Sequence, residues 1–262
     1  MIQIHTRFLL PLAALLLAFL ISLPLQAASW QQFAPVQAQI KGTPASEGLQ
    51  LELPLVSEDG SAVPLSVRFT GSLAEGDQLE SIRIFATANP NAEIIDFIFH
   101  DARSLADLST RVRLNETQNV IALATSRNGR QWVAEREVRV TVSGCLMRSD
   151  EQADAGMQNP RIALPRRLQA GQPIEIRTLI SHPMETGLRK AADGKLLPQN
   201  LIHNMVLELD QQPVFEARFY TGTSANPYVR LHLKTDQNAM ARFRWTDQQK
   251  QQLEEAREIS LR

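Results

Sequence analysis

Cysteine is nearly missing from this chain: its 262 residues contain one, Cys145. A single cysteine cannot close an intramolecular disulfide, so the thiol is free, bridged to another molecule, or chemically employed. An excess of charge of one sign is missing too. With 27 basic and 28 acidic residues the formal net charge is −1, which leaves no electrostatic footprint for nucleic acid or an anionic membrane. Glycine-rich phosphate loops, a serine-nucleophile elbow and paired histidines at zinc spacing do not occur either, which removes the common signatures of nucleotide, acyl-transfer and zinc chemistry. Beyond the first two dozen residues there is no long apolar run, and none of the later segments is suited to crossing a bilayer.

What is present begins with a leader. Arg7 is a thin basic region, Phe8 to Leu23 is a mostly apolar run, and Pro24-Leu-Gln-Ala-Ala28 offers small residues for cleavage. Residues 1–28 therefore read as a cleavable secretory signal peptide, and the expected location is the periplasm. The apolar run is shorter than the roughly 20 residues of a membrane-spanning helix, and Pro11 interrupts it. Export to an oxidising compartment favours paired cysteines. Lacking a pair, the mature protein must fold on apolar burial alone, which domains of ~100 residues can do.

The body of the chain is patterned for strands. Leu49 to Leu53, Val63 to Phe69, Leu79 to Ala86, Glu93 to His100, Ser109 to Leu114, Val120 to Thr125 and Trp132 to Val142 are apolar or alternate at period two. Turn chemistry separates them, with Ser57-Glu-Asp-Gly-Ser61, Asn89-Pro-Asn91 and the hairpin pair Asn128-Gly129 the clearest cases. Short strands at this spacing, with little helical periodicity, predict a β-sandwich. Residues 148–160 are polar, acidic and poor in branched apolar side chains, as a linker or exposed loop would be. A second strand-rich stretch follows, over Gly171 to Ser181, within Leu196 to Leu209, and over Val214 to Phe219, Tyr228 to Leu233 and Met240 to Trp245. After Trp245 the composition turns to Gln, Lys, Glu and Ala. With Asp247 or Thr246 as N-cap, a polar helix is expected over 247–259, touching the body through Leu253 and Ala256.

The expected fold is thus all-β: two β-sandwich domains in tandem, with a short C-terminal helix. The expected boundaries are a signal peptide at 1–28, a first domain at 29–147, a linker at 148–159 and a second domain at 160–262. Val140-Thr-Val-Ser-Gly-Cys145 lies at the junction and delivers the lone thiol at the end of an alternating strand. A free thiol is often a buried structural residue; its position after Ser143-Gly144 and before a polar stretch fits employment equally well. His182, Met184 and Glu185 invite a copper reading. They form too small a ligand set, with no second cluster, and His182 before Pro183 is expected to shape a turn or an inter-domain face. No metal, cofactor or catalytic residue is expected. His100, His203 and His232 read as packing or hydrogen-bonding residues, and Arg166-Arg167 as a solvated pair.

Two sets of residues carry a resemblance. Ser109 to Ala124, continuing through Val138-Arg-Val-Thr-Val-Ser-Gly-Cys145, resembles the C-terminal half of SoxY, the sulfur-carrier subunit of the periplasmic thiosulfate-oxidising system. Pro160-Arg-Ile-Ala-Leu-Pro-Arg-Arg167, Ile180-Ser-His-Pro-Met-Glu-Thr-Gly-Leu-Arg-Lys190 and Ser224-Ala-Asn-Pro-Tyr228 resemble its partner subunit, SoxZ. The resemblance implies two immunoglobulin-like β-sandwich domains packed together, with Cys145 as the point of covalent substrate attachment, on an arm that includes Ser143 and Gly144, in a non-enzymatic carrier. It implies periplasmic Sox-type enzymes and cytochromes as partners, with a disulfide-linked homodimer as a side species. Two departures stand out. Leu146 and Met147 follow the cysteine where the family has glycines, and the arm is tethered at both ends. In both respects the chain resembles the fused SoxYZ-like carriers associated with quinoprotein dehydrogenases. An accessory module for such a dehydrogenase, with Cys145 incidental, is the alternative that this resemblance implies.

Overall fold

Period-two burial runs through nearly every strand. Val63–Phe69 buries Val63, Leu65 and Val67 and turns Pro64 and Arg68 outward, the pattern of a strand with one face on a core. The computed structural model describes residues 30–143, 154–191 and 193–262. Among them are fifteen strands and a single four-residue helix, Ala34–Gln37 (α1). The strands of the first half are Leu49–Glu52 (β1), Val56–Ser57 (β2), Val63–Phe69 (β3), Leu79–Ala86 (β4), Glu93–Phe99 (β5), Ser104–Val112 (β6), Gln118–Ser126 (β7) and Gln131–Val140 (β8). Those of the second are Gln158–Ala163 (β9), Ile174–Ser181 (β10), Ile202–Leu209 (β11), Gln212–Phe219 (β12), Tyr228–Leu233 (β13), Ala239–Asp247 (β14) and Gln252–Ile259 (β15).

They build two sheets, and both run unbroken from one half of the chain into the other. The six-stranded sheet has the order β1-β3-β6-β13-β10-β9; the nine-stranded sheet has the order β15-β14-β11-β12-β5-β4-β7-β8-β2. The halves therefore join edge to edge twice, by β6 with β13 and by β5 with β12, both antiparallel. In the second join Phe215, Ala217 and Phe219 lie opposite Phe99, Phe97 and Ile95, all buried. The Phe215 ring stacks 6.1 Å from Phe97 and meets Phe99 edge-on at 5.8 Å. Such aromatic pairs add ~0.5–1.5 kcal/mol each beyond their area. One continuous hydrophobic core, from Leu49 to Ile259, lies between the sheets. A smaller cluster on the outer face of the larger sheet packs Val36 of α1 against Phe85, Ile121, Leu123 and Val133. It explains why β7 is buried along almost its whole length, on both faces.

One expectation is overturned. Residues 252–259 form an edge strand, not a helix. β15 pairs along its whole length with β14, and Arg244 lies opposite Glu254 and donates to it at 2.6 Å. Leu253, Glu255, Arg257 and Ile259 turn inward while the residues between them are exposed. The supposed N-cap serves a turn: the Gln251 amide donates to Asp247 Oδ1 at 2.8 Å, and Lys250 takes a left-handed φ of 63° to reverse the chain. Asp is as much a turn former as a helix cap. The pull of β14's open edge outweighs the helix propensity of a Gln/Glu/Ala-rich stretch.

Candidate functional site

The site is built from β8 outward, because the strand that carries Trp132 into the core also leads toward Cys145. β8 is held on both flanks of its course. Near its start the Ala45 amide donates to Gln131 O and the Val133 amide to Ala45 O. At its end the short parallel strand β2 takes over, with Val56 opposite Arg139 and Ser57 opposite Val140. Three further bonds carry the clasp beyond the strand. Thr141 N donates to Ser57 O at 3.1 Å, its Oγ1 to Glu58 O at 3.2 Å, and Gly60 N to Val142 O at 3.0 Å. The Ser57–Ser61 turn, closed by Asp59 accepting from Ser61 N and Oγ, is the fixed base from which the arm leaves. Of the expected arm residues Ser143 is described; Gly144 and Cys145 lie outside the described residues, as does the expected signal peptide. The chain re-enters at Asp154, and Asn200 Nδ2 donates to Ala155 O at 3.1 Å. The arm thus has a pinned exit at Val142 and a pinned return at Ala155.

The SoxZ-like residues gather behind this base. Ser224 Oγ donates to Ser61 O at 2.8 Å, and Ser224 N donates to Arg111 O. Asn226, in the left-handed region at φ 52°, exchanges bonds with His182: its Oδ1 accepts from His182 N at 3.0 Å and its N donates to His182 O at 2.8 Å. Arg113, just past β6 and almost wholly buried, reaches across the boundary. It donates to Met184 O and Pro183 O at 2.6 and 3.0 Å, and its own amide donates to Gly222 O at 2.7 Å. Gly222 lies so close to β5 that a Cβ there would stand 2.8 Å from Ile94 Cγ1. The Ile-Ser-His-Pro-Met-Glu-Thr-Gly run is therefore an inter-domain clamp, as His182 before Pro183 suggested.

Of the ligand-type atoms of that run, His182 Nδ1, Met184 Sδ and the Glu185 carboxylate are engaged, while His182 Nε2 is buried with no hydrogen-bond partner. His182 Nδ1 accepts the Met184 amide at 3.1 Å, which leaves the ring proton on Nε2. Burial pushes the His182 pKa down to about 4, with the Asn200 side chain and Asp247 opposing it. Met184 Sδ accepts the Ile202 amide, and buried Glu185 holds Arg189 at 2.6 Å. Among the described residues no group of three or more His, Cys, Asp or Glu side chains is placed to hold a metal ion. The other histidines fill structural roles where bonded: His100 lies 3.4 Å from Glu216, His232 bonds Asp107 O at 2.9 Å, and His203 is exposed. Arg166 and Arg167 are exposed.

Sequence reasoning missed Arg113, which it placed inside a strand alternation, and missed Leu55 and Val56, now seen on the exposed side of the clasp. A signal for the second existed: two adjacent apolar residues after Pro54 break the period-two rule, so one of them has to face water.

Residues 36–145 match the family model for sulfur oxidation protein SoxY, and residues 162–258 match that for sulphur oxidation protein SoxZ. No curated protein matches the chain. Among solved structures, a Thermotoga maritima protein described as a superoxide reductase is similar over 35% of this chain and 84% of its own, at 16% identity and a TM-score of 0.31. A β-glycosidase from Bacteroides vulgatus is similar over 80% of this chain and 24% of its own, at 10% identity and a TM-score of 0.25. Likenesses that weak carry no argument about fold or function. Among the described residues, no helix is long and apolar enough to cross a membrane. The two family matches, in tandem, support a SoxYZ-like fusion within the sulfur-oxidation carrier family.

Proposed function

We propose that this SoxYZ-like fusion is a periplasmic carrier, not an enzyme, which holds a sulfur-containing group covalently on Cys145 and presents it to partner enzymes. The observation that carries the reading is where the SoxY match ends: it runs through residue 145, the only cysteine in the chain. The chemistry suits a lone thiol. A thiolate is the nucleophile, and a neighbouring cysteine would attack the Cys145 sulfur, form a disulfide with it and expel a persulfide or thiosulfonate cargo as its sulfur anion. Joining the Cys145 sulfur to the sulfur of a thiol-level donor forms one S–S bond and releases two electrons and the donor's proton. Loading of that kind needs an electron acceptor, a role that fits cytochrome partners; hydrolytic unloading needs none. Sox-type or quinoprotein dehydrogenase enzymes are the proposed users of the carrier, the SoxY-like and SoxZ-like parts being two immunoglobulin-like units.

The tether sets the reach. Cys145 is three residues beyond Val142, whose carbonyl is pinned by Gly60, so its Cα stays within about 11 Å of Val142 at full extension. A partner has to come to the carrier. The test is the intact mass of the mature protein purified from the periplasm of its own organism without reductant, before and after dithiothreitol. A reducible adduct that Cys145→Ser lacks is the expected result. A clean thiol, together with a Cys145→Ser strain of undiminished activity, overturns the reading.

A further inference from the structure

We infer that the arm-bearing end of the sandwich is an apolar docking face with two lobes, one from each half of the chain, gripped by the enzyme that loads Cys145. The inference rests on the carrier reading and specifies its partner surface. Six large apolar side chains are exposed among the described residues: Leu55, Val56, Val142, Leu188, Leu196 and Met240. Five of them belong to one end of the molecule. Leu55, Val56 and Val142 sit on the clasp that pins the arm's exit, with Leu55 79% exposed. Leu188 and Leu196 (62% exposed) stand on a hairpin rooted where Glu185 pairs with Asn200. Asn200 is also the residue that pins the arm's return at Ala155. Arg113, at the exit end of β6, holds the start of the same 182–200 excursion. Met240 lies at the opposite end, where its amide donates to Asp210 of the β11–β12 turn.

Two arguments choose the occupant. The first is reach. Since the Cys145 Cα cannot move more than about 11 Å from Val142, any macromolecule that encloses its sulfur must press against the clasp. Leu55, Val56 and Val142 are then buried whenever Cys145 reacts inside a protein. The second is area. A handful of aliphatic side chains presents a few hundred Å² at most, well short of the roughly 800 Å² per partner of a stable interface. A permanent second copy of this chain is therefore a poor fit. A transient partner, whose contacts with the arm add to those with the patch, is a good one. The partner is accordingly a protein whose active-site mouth is rimmed with apolar side chains and wide enough to meet both lobes. β2 is also the edge strand of its sheet on the same surface, a position that partners use by strand addition.

The experiment uses the Cys145 adduct as its readout, in the source organism. Three variants of the full chain are compared with the natural protein: Leu55→Asp/Val56→Asp, Leu188→Asp/Leu196→Asp, and Met240→Asp as the far-end control. Each is checked for an unchanged melting temperature and for an unchanged rate of reaction of the thiol with a small disulfide reagent. Adduct occupancy should fall at least tenfold in both lobe variants and stay at the natural level in Met240→Asp. Natural occupancy in the two lobe variants overturns the docking face and leaves the carrier reading standing. An absent adduct in the natural protein, together with undiminished activity of the Cys145→Ser strain, overturns the carrier reading, and the docking face with it.

Discussion

Arg113 is the side chain through which the two halves hold each other most directly. Its guanidinium is buried and its acceptors across the boundary are carbonyls of residues 183 and 184. Removing it strands buried acceptors, a loss of ~1–3 kcal/mol for each group left unsatisfied. Arg113→Ala should therefore lower the urea midpoint with an unchanged m-value, while Arg166→Ala, on an exposed side chain, should move it little. His182 gives the same clamp a pH dependence. Its native pKa of about 4 lies below the ordinary 6.5 because burial disfavours the charged ring. Above pH 6.5 both native and unfolded forms are neutral and the clamp is at full strength. As pH falls from 6.5 toward 4 the unfolded chain takes up a proton that the native state refuses, so stability declines, and below 4 the decline stops. The decline is at most about 3 kcal/mol. Asp96, whose carboxyl burial holds above its usual pKa, acts with the opposite sign, stabilising the fold as pH falls. The His182 contribution is thus read as a difference: His182→Asn keeps an acceptor for the Met184 amide and should flatten the slope of unfolding free energy between pH 7 and 4.5. An equal slope in both proteins removes His182 from the account.

At the scale of elements, β15 is the instructive case. A helix over 247–259 makes Leu253 and Ala256 its contacts, whereas the strand makes Leu253 and Ile259 its inward residues and exposes Ala256. Ile259→Ala should cost about 2–4 kcal/mol, as a buried branched side chain does. Ala256→Ser should be nearly neutral. Legibility followed the same physics elsewhere. Strands with one face on the core advertise themselves by alternation, and Val63–Phe69, Leu79–Ala86 and Tyr228–Leu233 are bounded as the pattern indicates. β6 begins at Ser104, ahead of the readable Ser109, because Asp107 faces a charged outer surface with Arg68 and Arg230. That partnership spans both halves and leaves no local trace. The site divides in the same way. The lone cysteine and the SoxZ-like run stand out in the sequence. The clasp on Val142 depends on pairing between residues some 80 positions apart, which no local pattern records.

Pairing across such separations also decides how the whole molecule behaves. Two sandwiches joined by a linker would melt independently, because inter-domain contacts of ordinary size couple weakly. Here both sheets and the core pass through the boundary, so neither half can unfold without baring the edge of the other. Scanning calorimetry should show one transition. Phe215→Ala, which removes the ring between Phe97 and Phe99, should cost about 3–5 kcal/mol. For a protein of this size that lowers the single melting temperature by roughly 6–20 °C, with no second transition left at the original position. The covalent connection contributes far less than the shared sheets, since chain continuity acts mainly through loop-closure entropy. A specific protease site placed at residues 148–153 should therefore yield two fragments that co-elute as one particle after cleavage and separate only in denaturant. Fragments that part in native buffer would mean that β5–β12 and β6–β13 do not hold without the tether. The partner's two-lobed grip would then be needed to keep the halves together, not only to receive the thiol.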